Sequence, residues 1–194
     1  MLIPGRKPRA LVLVLPGGTD SSREPYSRKQ PAALRMYPFT LSLMALPGVV
    51  VHQAAYELYG WNGEDDSPMA PAQRALDELL QAHPDVPVIL VGHSMGGRVA
   101  ARLAADKRVA GVLALAPWWQ YADWRYINVD ARVLAMHGTA DTRTYPKRTA
   151  KGVAELQEAG VDAAFIPIED GKHAMLDHVW AWHSTAVRFV RSFL

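Results

Sequence analysis

Short continuous apolar runs alternate along this chain with stretches whose apolar residues recur at helical spacing. The runs are Leu11–Leu15, Val49–Val51, Val86–Val91, Val109–Leu115, Val133–Met136 and Ala163–Ile168. Each is rich in valine, leucine or isoleucine and bounded by turn residues, as strands are when helices cover both faces of a parallel sheet. Between them, Pro71 is a good first helical residue. After it, Ala72, Ala75, Leu76, Leu79 and Leu80 fall on one helical face. Met95 to Ala105 carries Val99 and Leu103 one turn apart, Lys147 to Ala159 ends at a helix-stopping Gly160, and Val179, Trp182, Ala186, Val190 and Phe193 line a last amphipathic helix. Arg28 to Leu46 is expected to be helical in part, limited by Pro31, Pro38 and Pro47. Strand–helix alternation predicts an α/β fold: an open, mostly parallel sheet of about six strands with helices on both faces. Right-handed crossovers then gather the strand C-termini along one edge, which is where chemistry sits in such sheets.

The 194 residues suit a single domain, 1–194, with one core. A net charge of +2, spread without runs of like sign, argues against nucleic acid as a partner. There is no cysteine, which excludes disulfides, thiolate catalysis and thiolate metal sites and fits a reducing compartment. We expect a cytoplasmic protein. Arg6, Lys7 and Arg9 before the apolar run Ala10–Leu15 loosely resemble a signal peptide. The run is short, however, and Pro16-Gly17-Gly18 follows it in place of a cleavage site, so it is read as a buried strand. No apolar stretch reaches the ~18 residues of a membrane span.

The third strand leads into Gly92-His93-Ser94-Met95-Gly96-Gly97. This is G-x-S-x-G between a strand and a helix, the context in which the motif carries meaning. A serine on a sharp strand-to-helix turn projects its hydroxyl above the sheet edge, and glycines on either side avoid collisions with neighbouring backbone. The blander alternative is a turn that only packs a helix on a strand. Serine needs a base, and the base needs an orienting acid, in the chain order serine, acid, histidine. Asp141 follows the strand ending at Met136 and His173 follows the strand ending at Ile168, so both belong to the catalytic edge. Asp170 and Glu169, on the histidine's own loop, are the rival acids. Among the other histidines, His93 and His137 flank strand ends as local hydrogen-bonding residues, His83 ends a helix, His178 and His183 fall in the last helix, and His52 borders the pocket. None has the spacing of a zinc pair on one helix, and neither a metal nor another cofactor is expected. Gly18 after the first strand and Met95 after the nucleophile are the expected oxyanion donors, with Thr19 next.

These residues resemble the α/β-hydrolase superfamily over almost the whole chain. The resemblance rests on Gly92 to Gly97, on His137-Gly138-Thr139-Ala140-Asp141 and on Gly171-Lys172-His173-Ala174-Met175. Tyr59-Gly60-Trp61-Asn62-Gly63 is similar to a segment of small actinobacterial members of the dienelactone-hydrolase kind. The resemblance implies a serine hydrolase with Ser94, Asp141 and His173 as its triad. Dienelactone hydrolases proper use a cysteine nucleophile, so their substrate does not carry over. Pro16 stands where a histidine often precedes the oxyanion glycine. Only Ala116 to Ala131 separates the strands between which a cap is often inserted, so an open, lidless site is expected. Trp118, Trp119 and Trp124, with Tyr121 and Tyr126, fill that stretch. They suggest an apolar acyl or aryl site, or equally a hydrophobic plug or a dimer contact.

The leading expectation is hydrolysis of a small carboxylic ester through an acyl-enzyme. The alternatives are thioesterase, amidase or acyltransferase chemistry with the same parts, and a non-catalytic binding protein on the same scaffold.

Overall fold

A computed structural model describes residues 7–194; Arg6, part of the basic stretch noted above, lies outside them. Six strands form one sheet: β1 (Ala10–Leu15), β2 (Val49–Gln53), β3 (Val88–His93), β4 (Val109–Leu115), β5 (Arg132–Gly138) and β6 (Ala163–Ile168). All neighbours pair parallel, in the order β2-β1-β3-β4-β5-β6. Five helices surround it: α1 (Pro31–Met44), α2 (Met69–Ala82), α3 (Met95–Leu103), α4 (Pro146–Glu158) and α5 (Val179–Arg191).

The unbroken apolar runs have a direct cause. Along β1, Leu11, Leu13 and Leu15 point to one face and pack with Leu76, Val99 and Leu103 beneath α2 and α3. Val12 and Val14 point to the other face and pack with Met36, Phe39 and Trp182 beneath α1 and α5. A period of two with both faces buried leaves no polar position in the strand.

Two helices differ from the expectation. α2 begins at Met69, two residues before Pro71. Pro71 still lies in the first turn, where an N–H would have had no helical partner. α1 runs through Pro38, which sits on the exposed side of the helix. The proline leaves the Leu34 carbonyl without a donor on a side open to solvent, and the helix continues. The inner side is tied down instead by Gln53 at the end of β2. Its Nε2 donates to the Ala33 carbonyl and its Oε1 accepts from the Thr40 hydroxyl.

The chain leaves β1 toward β2 on one side and leaves β3 toward β4 on the other. The C-terminal ends of β1 and β3 therefore flank the point where the winding reverses, which opens a crevice in such sheets. Between β4 and β5 the chain forms one 3-10 turn, Asp123–Tyr126, and no cap.

Behind α3 lies a buried ion pair. Arg98 Nε donates to Asp123 Oδ1 at 2.9 Å, with side chains 4% and 0% exposed. Arg102 Nε adds a second donor to the same oxygen at 3.3 Å. Removing one partner of such a pair strands the other's charge. Asp123→Ala should cost about 3–5 kcal/mol, measured as a fall in the urea midpoint at unchanged slope. A loss below 1 kcal/mol would mean that water already reaches the pair.

Candidate active site

Ser94 joins β3 to α3 at φ 55° and ψ −117°, a left-handed conformation that a residue with a side chain rarely takes. Strain of this kind costs about 1–3 kcal/mol and persists only where its surroundings impose it. The Ser94 N–H donates to the Leu115 carbonyl at 3.0 Å, and the Ser94 carbonyl accepts from the N–H groups of Gly97, Arg98 and Trp118. A Cβ on Gly92 would land on the Gly96 carbonyl oxygen, and one on Gly96 would land on the Leu15 carbonyl oxygen. The two glycines thus let β1, β3 and α3 close on the turn.

The structure brings Ser94, His173 and Asp141 into one hydrogen-bonded chain. Ser94 Oγ lies 3.0 Å from His173 Nε2, and His173 Nδ1 lies 2.7 Å from Asp141 Oδ2. A carboxylate only accepts, so Nδ1 carries the proton and Nε2 is free to accept from the serine hydroxyl. Asp170 is exposed, and no hydrogen bond joins its carboxylate to His173.

Asp141 is the most heavily hydrogen-bonded group of the site. Its Oδ1 accepts from the N–H groups of Arg143 and Thr144. Its Oδ2 accepts from His173, from His137 Nε2 at 3.0 Å and from the Thr144 hydroxyl at 2.8 Å. Burial by itself raises this carboxyl's pKa; the bonds from His137 and His173, with the Thr144 N–H, outweigh it and hold the group well below the usual carboxylate range. His137 is completely buried. With Nε2–H on the carboxylate, its Nδ1 accepts from the Thr149 hydroxyl at 2.8 Å. Sequence reasoning gave His137 a local hydrogen-bonding role and missed Thr144 and Thr149. The His-Gly-Thr-Ala-Asp spacing, which places His137 four residues before Asp141, was the signal available.

His93 packs beside the histidine of this chain, with ring centroids 4.9 Å apart. Its Nε2–H donates to the His173 carbonyl at 2.9 Å and fixes the loop that carries His173. Burial, reinforced by His173, pushes its pKa down to about 3, so it stays neutral.

Of the three oxyanion candidates, Thr19 is committed elsewhere: its N–H donates to the Tyr59 carbonyl at 3.2 Å. The Gly18 N–H donates to no group among the described residues, and Met95 opens α3, where an N–H has no helical partner. The segment Tyr59 to Gly63 staples this loop. Trp61 N–H donates to the Thr19 carbonyl and Asn62 N–H to the Asp20 carbonyl, while the Asn62 side chain bonds both the N–H and the carbonyl of Ser22.

An open cleft flanks Ser94 and His173 on two sides. One lobe, of about 330 Å³, reaches α1 and is bordered by Ala32, Arg35, Tyr59, His93 and Arg143. The other, of about 280 Å³, is bordered by Asp20, Trp118, Gln120 and Arg143. Of the readings left open for the aromatic stretch, the structure favours the hydrophobic plug for Trp119 and Trp124. Trp118 alone of the three tryptophans borders the cleft. Trp119 is buried with Nε1 on the Gly97 carbonyl, and Trp124 is buried with Nε1 on Glu155. Those two form the plug, because indoles this large fill the space between α3 and α4 that a short crossover leaves. His52 is exposed on edge strand β2 and borders neither lobe. Among the described residues no cluster of His, Asp or Glu could hold a metal ion, and no helix is long and apolar enough to cross a membrane.

The sequence profile described as "Alpha/beta hydrolase family" matches residues 11–194. No curated protein matches the chain. Several solved structures are similar in fold. An alpha/beta hydrolase enzyme from a Medee basin deep-sea metagenome library is 20% identical, with a TM-score of 0.74 over 96% of this chain and 85% of that one. A serine hydrolase without a lid from Xanthomonas campestris is 20% identical, with a TM-score of 0.71 over 99% and 86%. A highly thermostable carboxyl esterase from Bacillus coagulans is 13% identical, with a TM-score of 0.73 over 98% and 92%. Likeness at these identities shows the fold: a small α/β-hydrolase sheet without a cap.

The Asp141 bonds make an acid-side prediction. A carboxyl held below its unfolded value of 3.8 adds stability above that pH and loses it as pH falls toward the folded value. Asp141→Asn should therefore be clearly less stable than the parent at pH 7, with the gap narrowing below about pH 4. Urea midpoints at pH 7 and pH 3 check this, and Asp170→Asn should show little gap at either. An Asp141→Asn gap independent of pH would mean that its cost is packing rather than charge.

Proposed function

The chain belongs to the alpha/beta hydrolase family, and on that premise we propose that it is a serine hydrolase cleaving carboxylic esters through an acyl-enzyme. The observation that carries this reading is the unbroken chain from Ser94 Oγ through His173 to Asp141, at 3.0 and 2.7 Å. Ser94 attacks the ester carbonyl while His173 Nε2 takes its proton. Asp141, ionised at neutral pH, holds Nδ1–H and stabilises the imidazolium that forms. The N–H groups of Gly18 and Met95 receive the tetrahedral oxyanion. His173 then returns the proton to the departing alcohol, and water repeats the sequence on the acyl-enzyme to release the acid. Each step uses groups of this chain alone.

The strain at Ser94 supports catalysis over binding alone. A conformation costing about 1–3 kcal/mol persists only where its surroundings impose it, and here they aim the Ser94 hydroxyl at His173 Nε2. The carboxyl esterase among the structural relatives points the same way. The small open lobes suit a small-molecule ester.

A fluorophosphonate should label Ser94 stoichiometrically, and Ser94→Ala should keep its fold and lose ester hydrolysis by several orders of magnitude. Asp141→Asn should lower kcat by ~10³–10⁴, whereas Asp170→Asn should leave it within about twofold. Correctly folded Ser94→Ala with near-parental activity would sink the proposal.

Substrate length supplies a separate check. An open cleft buries little acyl chain, and each buried CH₂ is worth only ~0.8 kcal/mol. Short soluble esters should therefore react better than long-chain triglycerides, with no jump in rate above the micelle concentration. Trp118→Ala should raise KM more than it lowers kcat, as lost uniform binding does. Rates that climb steadily to long acyl chains would contradict the shallow site.

A further inference from the structure

Among the arginines that are not fully exposed, three have an evident partner. Arg98 and Arg102 hold Asp123, and Arg148 stacks on the Tyr145 ring. Arg35 is half-buried on α1 and has neither carboxylate nor ring nor side-chain hydrogen bond among the described residues. It borders the lobe of the cleft that contains Ser94 and His173. Arg143, two residues beyond Asp141, is exposed and borders the same lobe, and its guanidinium has no carboxylate among the described residues.

The surroundings sharpen the anomaly. No Asp or Glu lines this lobe. The N-terminal turn of α1, at Pro31 and Ala32, also faces it and carries no acidic residue. Burial lowers the Arg35 pKa, Tyr59 partly offsets that, and the nearby charge of Arg143 lowers it further. A guanidinium kept half-buried beside a second one is an electrostatically unfavourable arrangement. A small oxyanion between the two would relieve it, since each planar fork matches a carboxylate or a phosphoryl group.

We propose that the ester cleaved here carries an anionic group, carboxylate or phosphoryl, held in the α1 lobe beside Ser94 by Arg35 and Arg143. This rests on the serine-hydrolase reading above but concerns recognition, not the chemical step. The anion is the handle and the ester carbonyl is the reacting group. Binding the handle places the carbonyl over Ser94, and the products are an acid and an alcohol, one of which keeps the charge.

Three p-nitrophenyl esters of matched length test this: the hydrogen adipate, its neutral methyl ester and its terminal phosphonate analogue. The parent protein should favour an anionic ester over the neutral one by about ten- to a hundredfold in kcat/KM. That ratio should fall toward one in Arg35→Gln and in Arg143→Gln, and with rising salt. Whichever acid gives the larger ratio identifies the anion. An independent readout uses Ser94→Ala: free adipate or its phosphonate analogue should raise Tm there, and should not once Arg35→Gln or Arg143→Gln is added. Ester cleavage with a ratio near one and no Tm rise overturns the anion site and leaves the hydrolase reading intact. A Tm rise lost in the arginine variants, without cleavage of any ester, supports the anion site and removes the hydrolase reading. Neither cleavage nor a Tm rise overturns both.

Discussion

Arg98 carries a full positive charge to a position that is 4% exposed, four residues past Ser94 on α3. Such a charge is tolerable only if every neighbour is arranged around it. Asp123 from the β4–β5 crossover supplies the counter-charge. Trp61 supplies a ring face 3.7 Å from the guanidinium, and Trp118 and Tyr121 supply two more at 4.8 Å. These residues come from the three segments that surround Ser94: helix α3, the Tyr59 to Gly63 staple of the loop after β1, and the β4–β5 crossover. Desolvating one cation therefore obliges three segments of different sequence origin to meet in one place. The strained turn at Ser94 has a rigid back wall because of it.

A second constraint works on the opposite side of the serine. Asp141 has no exposed side-chain surface, and an isolated buried carboxylate would take up a proton. Five donors prevent that, and they differ in origin. Two are backbone N–H groups of the turn that follows Asp141 itself. The others are the Thr144 hydroxyl and two imidazoles, His137 from the end of β5 and His173 from beyond β6. Of the residues that supply them, His173, Thr144 and Arg143 border the cleft, whereas His137 does not. The bonds from His137 and His173, with the Thr144 N–H, outweigh burial and hold the carboxyl well below the usual carboxylate range, and His137, locked by Thr149, sets where the carboxylate points. His173 is aimed from its other side by the bond between its carbonyl and the neutral His93.

What the sequence made legible follows from which features are periodic or local. The six strands appeared as apolar runs because burial on both faces removes polar positions. Ser94, Asp141 and His173 could be placed together because parallel strands all end on one edge, so that three residues far apart in sequence needed only to follow strands. The aromatic stretch stayed ambiguous for the converse reason. Trp119 and Trp124 lie near the catalytic edge in sequence, but whether an indole faces the cleft or the core depends on the turn at Asp123–Tyr126, which has no periodic signature. His52 failed similarly: it lies one residue before the end of edge strand β2, exposed and outside the crevice at β1 and β3. Arg35 was invisible because a helical arginine usually marks a solvated face. Only the meeting of α1 with the loop after Asp141 shows that this face borders the cleft.

The absence of a cap poses an electrostatic problem that the fold solves by depth. Many active sites gain strength for their charged interactions by closing over the substrate and expelling water. Here the group that bears permanent charge, Asp141, and the imidazole that steadies it, His137, are completely buried beneath the sheet edge. His173 is 14% exposed and Ser94 9%, so these two are the members of the hydrogen-bonded chain that meet the cleft. The dry region lies below the serine instead of above it. This arrangement needs no moving lid to strengthen the bond between His173 and Asp141, because water is excluded from it in the resting state. Among the residues that border the cleft, Arg35 on α1 makes no contact with the buried pair of Asp141 and His137, whereas Gly18 and Thr144 are held to their size: a Cβ on Gly18 would meet the Tyr59 carbonyl oxygen, and the Thr144 hydroxyl bonds Asp141.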